Sequence, residues 1–333
     1  MNLGQSLLWP LTLPYGAVVR LNSRAYAKGL LRQRRLNGVV ISVGNITTGG
    51  TGKTPMVLWL AERLLAEGKK TGILTRGYRG EASASGSTSD EVQLLQRRLG
   101  DRVAFGIGAD RFARGSELAK RGTEWFILDD GFQHMQLARN VDILLIDATN
   151  PFGGGHLLPA GRLREPKSAI SRADVIVITR SRHAPAIEAA IRRESRTPIF
   201  YAGVRLDSVM PWRSTNAERE IADMQREKLF AFCGIGNPPA FVANLREWGF
   251  QIVAERFFPD HHRYTPEDIQ VIESEARSAG ADALVCTEKD TFNLANARFQ
   301  SFEVFYCRIS LQLDRAEEFW NAIATTIAAR IHE

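Results

Sequence analysis

Short apolar, β-rich runs alternate along the chain with stretches patterned for helices. The runs "VVISVGN" at 39–45, "TGILTRGY" at 71–78, "VAFGIG" at 103–108, "WFILDD" at 125–130, "VDILLIDA" at 141–148, "ADVIVITR" at 173–180 and "PIFYAGV" at 198–204 read as strands. Such alternation predicts a mostly parallel sheet with helices on both faces. Ligands of that architecture sit at the carboxyl ends of the strands. Residues 81–89, "EASASGSTS", read as a small polar loop. The chain turns polar between about 205 and 225, and a second, smaller α/β set follows. It consists of "KLFAFCGIG", a helix near 239–248, "FQIVAERFF", a helix near 266–278, "ADALVCTEK" and "FEVFYCRISL", with a closing helix from about 315. The expected division is a helical segment at 1–36, a larger domain at 37–205, a linker at 206–226, a smaller α/β domain at 227–313 and a C-terminal helix at 314–333.

A length of 333 residues with 44% apolar content suits two cores rather than one. No run of about 18 uncharged apolar residues is present, which argues against a conventional membrane span. The opening "MNLGQS" has no basic n-region, so a secretory signal is not expected and a cytoplasmic setting is. Cys233, Cys286 and Cys307 lie far apart in apolar runs and read as buried thiols.

The net charge is +6, but its distribution changes the picture more than its size. Seven basic residues (Arg20, Arg24, Lys28, Arg32, Arg34, Arg35 and Lys53) precede the first acidic one, Glu62. The excess is therefore N-terminal. The patch lacks the interleaved aromatics of a single-strand nucleic-acid binder, and no nucleic-acid partner is expected. A membrane surface fits better. Leu7–Val19 is uncharged, too short to span, and carries Trp9 and Tyr15, while Arg20, Arg24, Lys28 and Arg32 recur every four residues, as along one side of a helix. A solvated helix face is the plainer alternative.

The stretch "VGNITTGGTGKTP" at 43–55 joins a strand to a helical pattern, as a phosphate-binding loop must. Thr47 stands where the strict pattern has its first glycine, and Gly49, Gly50 and Gly52 supply the unusual dihedrals slightly later. The nucleotide-binding candidates are Thr47, Thr48, Gly49, Gly50, Thr51, Gly52, Lys53 and Thr54. Lys53 suits the β and γ phosphates, and Thr54 suits magnesium. The run "WFILDDGFQH" ends in Asp129 and Asp130, the form of a strand whose terminal carboxylate holds magnesium. Together these motifs place the larger domain in the P-loop NTPase class of α/β folds. Guanine specificity normally uses Asn-Lys-x-Asp, and the nearest text, "TEKD" at 287–290, has its lysine directly before the aspartate. That removes the main support for GTP, and "TEKD" itself receives no role.

"GNITTGGTGKTP", "LTRGYRG", "SDE" (89–91), "GADR" (108–111), "LDDGFQH", "LPAGRLREP", "FPDHH" and "TEKD" occur in this order over most of the chain. In that combination the chain resembles the tetraacyldisaccharide 4′-kinases of lipid A biosynthesis. The resemblance implies transfer of the γ-phosphoryl of ATP to the 4′-hydroxyl of a tetraacylated, 1-phosphorylated glucosamine disaccharide, giving lipid IVA. It also implies a two-lobed enzyme, peripheral on the cytoplasmic face of the inner membrane, with no obligate protein partner evident.

Carried over position by position, the resemblance implies that Asp90 is the catalytic carboxylate, Glu91 a magnesium partner beside Thr54, Asp129 and Asp130, and His261 the partner of Asp90. Read from the residues alone, Asp90 serves equally well as a helix cap, because "SDEVQLL" also looks like a helix start. His262 is a neighbour easily confused with His261, and a zinc site at Asp260-His261-His262 is rejected as too compressed. With His261 placed in the second domain, a joint site implies closure of the lobes. Arg111, Arg164 and Glu165 match substrate or phosphate positions, with structural salt bridges as the alternative, and Tyr78 of "RGYRG" is a further substrate-binding candidate. His134 is a candidate organiser of the magnesium strand. Two rival functions are an NTPase switch on a membrane, which modifies no lipid, and a basic nucleic-acid module.

Overall fold

A computed structural model describes residues 3–77, 89–213, 219–294 and 297–331. Tyr78 and the polar loop as far as residue 88 lie outside the described residues. The chain forms two compact units. The first comprises Met1–Ser87, Arg98–Gly203 and Leu311–Glu333; the second comprises Thr88–Arg97 and Val204–Ser310.

In the first unit, helix α1 (Leu3–Ala27) precedes β1 (Val39–Asn45), α2 (Lys53–Ala66) and β2 (Thr71–Thr75). Helix α3 (Asp90–Leu99) brings the chain back from the second unit to β3 (Ala104–Ile107), α4 (Arg111–Lys120) and β4 (Trp125–Asp129). Then come β5 (Val141–Asp147), β6 (Val175–Thr179), α5 (Pro185–Arg192) and β7 (Ile199–Pro211), the strand along which the chain leaves this unit. The strand order is β3-β2-β4-β1-β5-β6-β7. All the pairings described are parallel.

The chain order turns at β1, where Val43 faces Asp129 of β4 on one side and Ile143 of β5 on the other. A parallel sheet opens a crevice at the carboxyl ends of strands at such a point. Ile41 and Val43 are fully buried, as befits a central strand covered on both faces. Helix α2 follows the loop, and Met56, Val57, Leu60, Ala61 and Leu64 form its buried side. The rest of its cover comes from α10 (Ala316–Ile331), whose Phe319 meets Trp59 and Phe200 edge-on with centroids 5.4 and 5.3 Å apart.

Helix α1 runs through Pro10 and Pro14 and stops at Ala27. Gly29, at φ 69°, takes the left-handed conformation that closes helices. Arg20 and Arg24 therefore lie on the helix, whereas Lys28 and Arg32 fall beyond it, a correction to the single basic stripe read from their spacing. Leu11, Leu13, Val18 and Leu21 of α1 are exposed. No helix among the described residues is long and apolar enough to cross a membrane.

The polar stretch from 205 is strand as far as Pro211, with Ser208 and Val209 buried. After α6 (Ile221–Met224) the second unit continues through β8 (Lys228–Cys233), α7 (Pro238–Glu247), β9 (Gln251–Phe257), α8 (Pro266–Ser278), β10 (Ala283–Thr287), α9 (Asp290–Asn293) and β11 (Val304–Leu313). Its strands lie in the order β11-β10-β8-β9, again parallel. Alternate residues of β8 feed two cores: Leu229, Ala231 and Cys233 pack with Phe241 and Leu245, while Phe230 and Phe232 pack with Ile269 and Ile272. Both units thus have the α/β character expected from the alternation of runs.

Candidate active site

The loop leaving β1 has the backbone that its glycines predict. Gly49 and Gly52 have φ of 115° and 89°, values that side chains disfavour. Gly52 caps α2, so the first amides of that helix point toward whatever occupies the loop. The Lys53 ammonium lies 3.4 Å from Asn45 Oδ1 and 3.4 Å from Asp130 Oδ1. Asn45 in turn donates to the Thr47 carbonyl at 2.9 Å. On its other flank the loop is braced by "LPAGRLREP": the Thr48 amide donates to the Arg162 carbonyl at 2.8 Å, and the Arg164 amide to the Ile46 carbonyl at 2.7 Å. Thr47 is buried and pairs with Leu163. Thr51 is buried too, and its carbonyl accepts from Thr179.

Asp129 ends β4 and accepts from Thr75 Oγ1 at 3.2 Å. Asp130 turns at φ 50° and takes Arg164 Nη1 on both oxygens, at 2.9 and 2.8 Å. Burial opposes its ionisation, but Lys53 and Arg164 outweigh it and hold the carboxyl below the usual range. Glu165 lies behind, 2% exposed, bound to Arg172 and to Gln133 Nε2. Gln133 also reaches the Asn45 carbonyl at 2.9 Å, so Glu165 acts on the loop through these partners rather than through solvent. Arg111 opens α4 and is buried, and its Nε has no hydrogen-bond partner among the described residues. Burial and Arg76 lower its pKa, while Asp130 and Asp129 oppose them. Burial, with Arg111 and Arg139 nearby, lowers His134 to about 4, so its imidazole is neutral near pH 7.

In the second unit, Asp90 is the first residue of α3, where Ser89 accepts from the Val92 amide. The Asp90 side chain does more than begin a helix. Its two oxygens each lie 2.9 Å from Nδ1 of His261. Burial favours the neutral acid, but His261, Lys289 and the Glu91 amide together lower its pKa. His261, at φ 61°, has its pKa raised by the Asp90 bond, against burial. His262 is engaged elsewhere: its Nε2 lies 2.8 Å from Asp268, and its ring stacks on Phe258. The structure thereby separates the two histidines that the sequence leaves confusable. Because residues 88–97 belong to the second unit, the Asp90–His261 pair forms within one unit and needs no closure of lobes.

A family model described as tetraacyldisaccharide-1-P 4′-kinase matches residues 4–328 of this chain. The chain belongs to this family. It is similar to the tetraacyldisaccharide 4′-kinase of Geobacter metallireducens, with 41% identity over 87% of this chain and 88% of that protein. The enzyme of an Anaeromyxobacter species is 37% identical over 94% of this chain and 89% of the other. Among solved structures, LpxK of Aquifex aeolicus, determined in complex with ATP, is 29% identical and superposes with a TM-score of 0.72. That match covers 97% of this chain and 99% of the other.

The chemistry of the donors fits the magnesium that this family's ATP chemistry implies. Thr54 supplies a hydroxyl and Asp129 a carboxylate at the end of the neighbouring strand, hard oxygens of the kind magnesium takes. Asp130 and Glu91 each already hold a cation: Lys53 and Arg164 for the first, and Lys289 at 3.0 Å for the second. Asn45, Gln133, Arg172 and Lys289 were not singled out from the sequence. Asn45, Gln133 and Lys289 lie inside quoted motifs, whereas Arg172 shows its part only through its contacts with Glu165 and Phe132.

Proposed function

We infer that this protein is a kinase that moves the γ-phosphoryl group of ATP to the 4′-hydroxyl of a tetraacyldisaccharide 1-phosphate, the reaction of its family. The observation that supports specific roles is the Asp90–His261 contact, a carboxylate held ionised against an imidazole at 2.9 Å. In this reading Asp90 accepts the proton of the acceptor hydroxyl as its oxygen attacks phosphorus and the bond to ADP breaks. His261 holds the carboxylate in one orientation and supplies a cationic partner for its charge.

On the nucleotide side, the amides from Gly49 to Thr54 cradle the phosphates, with Gly49 and Gly52 permitting their approach, while Thr47 and the Thr48 amide brace the loop against Leu163 and Arg162. Lys53 turns from Asp130 and Asn45 toward the β and γ oxygens. Thr54 and Asp129 are the magnesium ligands we assign first, with Asp130 and Glu91 as further carboxylate candidates, the latter carried by the second unit. When bound, the ion neutralises charge that develops on the transferred group. Arg111 and Arg164 offer guanidinium forks to phosphate oxygens, and Arg111 has an Nε to spare.

We further assign α1 to a membrane surface, in keeping with an acylated substrate and with a peripheral place on the inner membrane's cytoplasmic face. Its exposed Leu11, Leu13, Val18 and Leu21, with Trp9 and the nearby Arg20 and Arg24, suit the boundary between acyl chains and anionic headgroups. The test of the whole reading uses γ-labelled ATP and tetraacyldisaccharide 1-phosphate in detergent. Label is expected in lipid, and Asp90→Ala is expected to bind ATP while losing most turnover. Label found only in free phosphate, or near-unsubstituted lipid phosphorylation by Asp90→Ala, would overturn it.

A further inference from the structure

The turn Thr287–Asp290, "TEKD", has no place in the chemistry above, yet it binds Glu91, the residue after Asp90, and Gly234, which holds the His261 amide. Asp290 is 1% exposed, and its carboxylate is saturated by donors. Oδ1 accepts from the Gly234 amide at 2.8 Å and the Tyr264 hydroxyl at 2.7 Å, while Oδ2 accepts from the amide and hydroxyl of Thr287. Four acceptor positions are about what a carboxylate offers.

Two of those donors lead to His261. The Gly234 carbonyl accepts from the His261 amide at 3.0 Å, so Asp290 holds one side of a peptide unit whose neighbour fixes the histidine. Gly234 is closely overlain: a Cβ there would stand 3.0 Å from both His262 Cβ and the Pro259 carbonyl. Tyr264 closes the same loop from its far end, edge-on to Phe232, Phe258 and His262 at 5.5, 5.1 and 5.2 Å. Residues 258–264 are thus gripped before and after His261, whose left-handed φ of 61° makes the loop dependent on such support.

The residue before Asp290 reaches the other partner. Lys289 donates to Glu91 Oε1 at 3.0 Å, one residue from Asp90. Nearly two turns further along α3, Arg97 donates to Thr291 Oγ1 at 2.9 Å. Helix α3 is therefore fastened near its start to Lys289 and near its end to Thr291, the residue after the turn.

We propose that the Thr287–Asp290 turn is the positioning element of the Asp90–His261 pair, with Lys289 holding the helix of the carboxylate and Asp290 the loop of the histidine. This rests on the reading of that pair given above. Asp290 and Lys289 touch no reacting atom; they act through the residues they hold. Displacing a catalytic group by about 1 Å can lower turnover by about a hundredfold.

The experiment is a double-mutant cycle on lipid phosphorylation with Asp290→Asn and His261→Ala, alone and combined. Asp290→Asn keeps the shape but leaves Gly234 N–H or a Thr287 donor facing an amide NH2. It is expected to lower kcat by about tenfold to a hundredfold, with KM for ATP within about twofold, and to cause no further loss when His261 is already alanine. An equal loss in both backgrounds, or kcat within about twofold of the unsubstituted protein, overturns the proposal. An active His261→Ala refutes the reading of the pair and the proposal with it. An impaired His261→Ala beside an unaffected Asp290→Asn sinks only the positioning role. If Asp290→Asn does not fold, Tyr264→Phe enters the same cycle, with an expected loss of about fivefold for one hydrogen bond and the same overturning outcomes.

Discussion

Nδ1 of His261 lies 2.9 Å from each carboxylate oxygen of Asp90, although 171 positions separate the two in the chain. Each group stabilises the charged form of the other, which lowers the pKa of Asp90 and raises that of His261 above 6.5. The groups facing His261 are Asp90 and Asp260, which favour its proton, and Lys289, which opposes it.

A titration of the His261 ring by NMR is therefore expected to place its pKa above 6.5, and Asp90→Asn to bring it down. For stability, the raised histidine contributes fully below its unfolded pKa, and the contribution is lost as pH rises through the folded value. For Asp90 the contribution is present above its unfolded pKa and lost as pH falls through the lowered one. A His261 pKa that does not move in Asp90→Asn would contradict the contact.

Gly49→Ala should weaken ATP binding by about tenfold, measured by calorimetry, because φ of 115° strains any side chain by on the order of 1–3 kcal/mol. The added Cβ would also stand 2.7 Å from Arg162 Nη2, the end of a side chain that can swing away. Gly68→Ala is the control. Gly68 has φ of 70° and open space around it, so stability should fall by about 1 kcal/mol while ATP affinity stays.

The three thiols should be silent to Ellman's reagent at pH 8 until the protein unfolds, and then all should react. Cys233, Cys286 and Cys307 are buried, and burial pushes each thiol up, Cys307 to about 12. Fast reaction of any one in the folded protein would show that the second unit opens at that strand.

Replacing Leu11, Leu13 and Val18 by serine should release the protein from anionic vesicles, weakening partition by at least about tenfold at roughly 0.8 kcal/mol per CH2 withdrawn. Turnover in detergent should be retained. Substitution is a cleaner test than deleting residues 1–36, because Tyr15 donates to the Arg164 carbonyl at 2.9 Å and Leu36 packs against Gly115. Unchanged flotation with vesicles would remove α1 from the membrane.

The strands and the phosphate loop were legible because their signals are local: a β-branched run, a glycine cluster and a helix start sit side by side in the sequence. That Asp129 closes a strand and Asp130 follows it was legible for the same reason. The Asp90–His261 pair came from resemblance to a family, since no periodicity links residues on α3 and on the loop after β9. The resemblance selects His261 over His262, and the physical ground for that choice is that Asp268 has claimed His262. Helix α1 runs through Pro10 and Pro14, and Gly29 ends it where the basic spacing alone predicts continuation. The role of "TEKD" was hidden because its partners, Gly234, Tyr264 and Glu91, come from three distant segments.

Neither unit is a continuous piece of chain: the first needs Leu311–Glu333, and the second needs Thr88–Arg97. During synthesis, Trp59 and Phe200 emerge long before Phe319, the ring that wedges between them. A nascent chain carries helix α2 for most of translation without the helix that packs on it, so the order in which the ribosome delivers the parts is not the order in which the enzyme can be assembled.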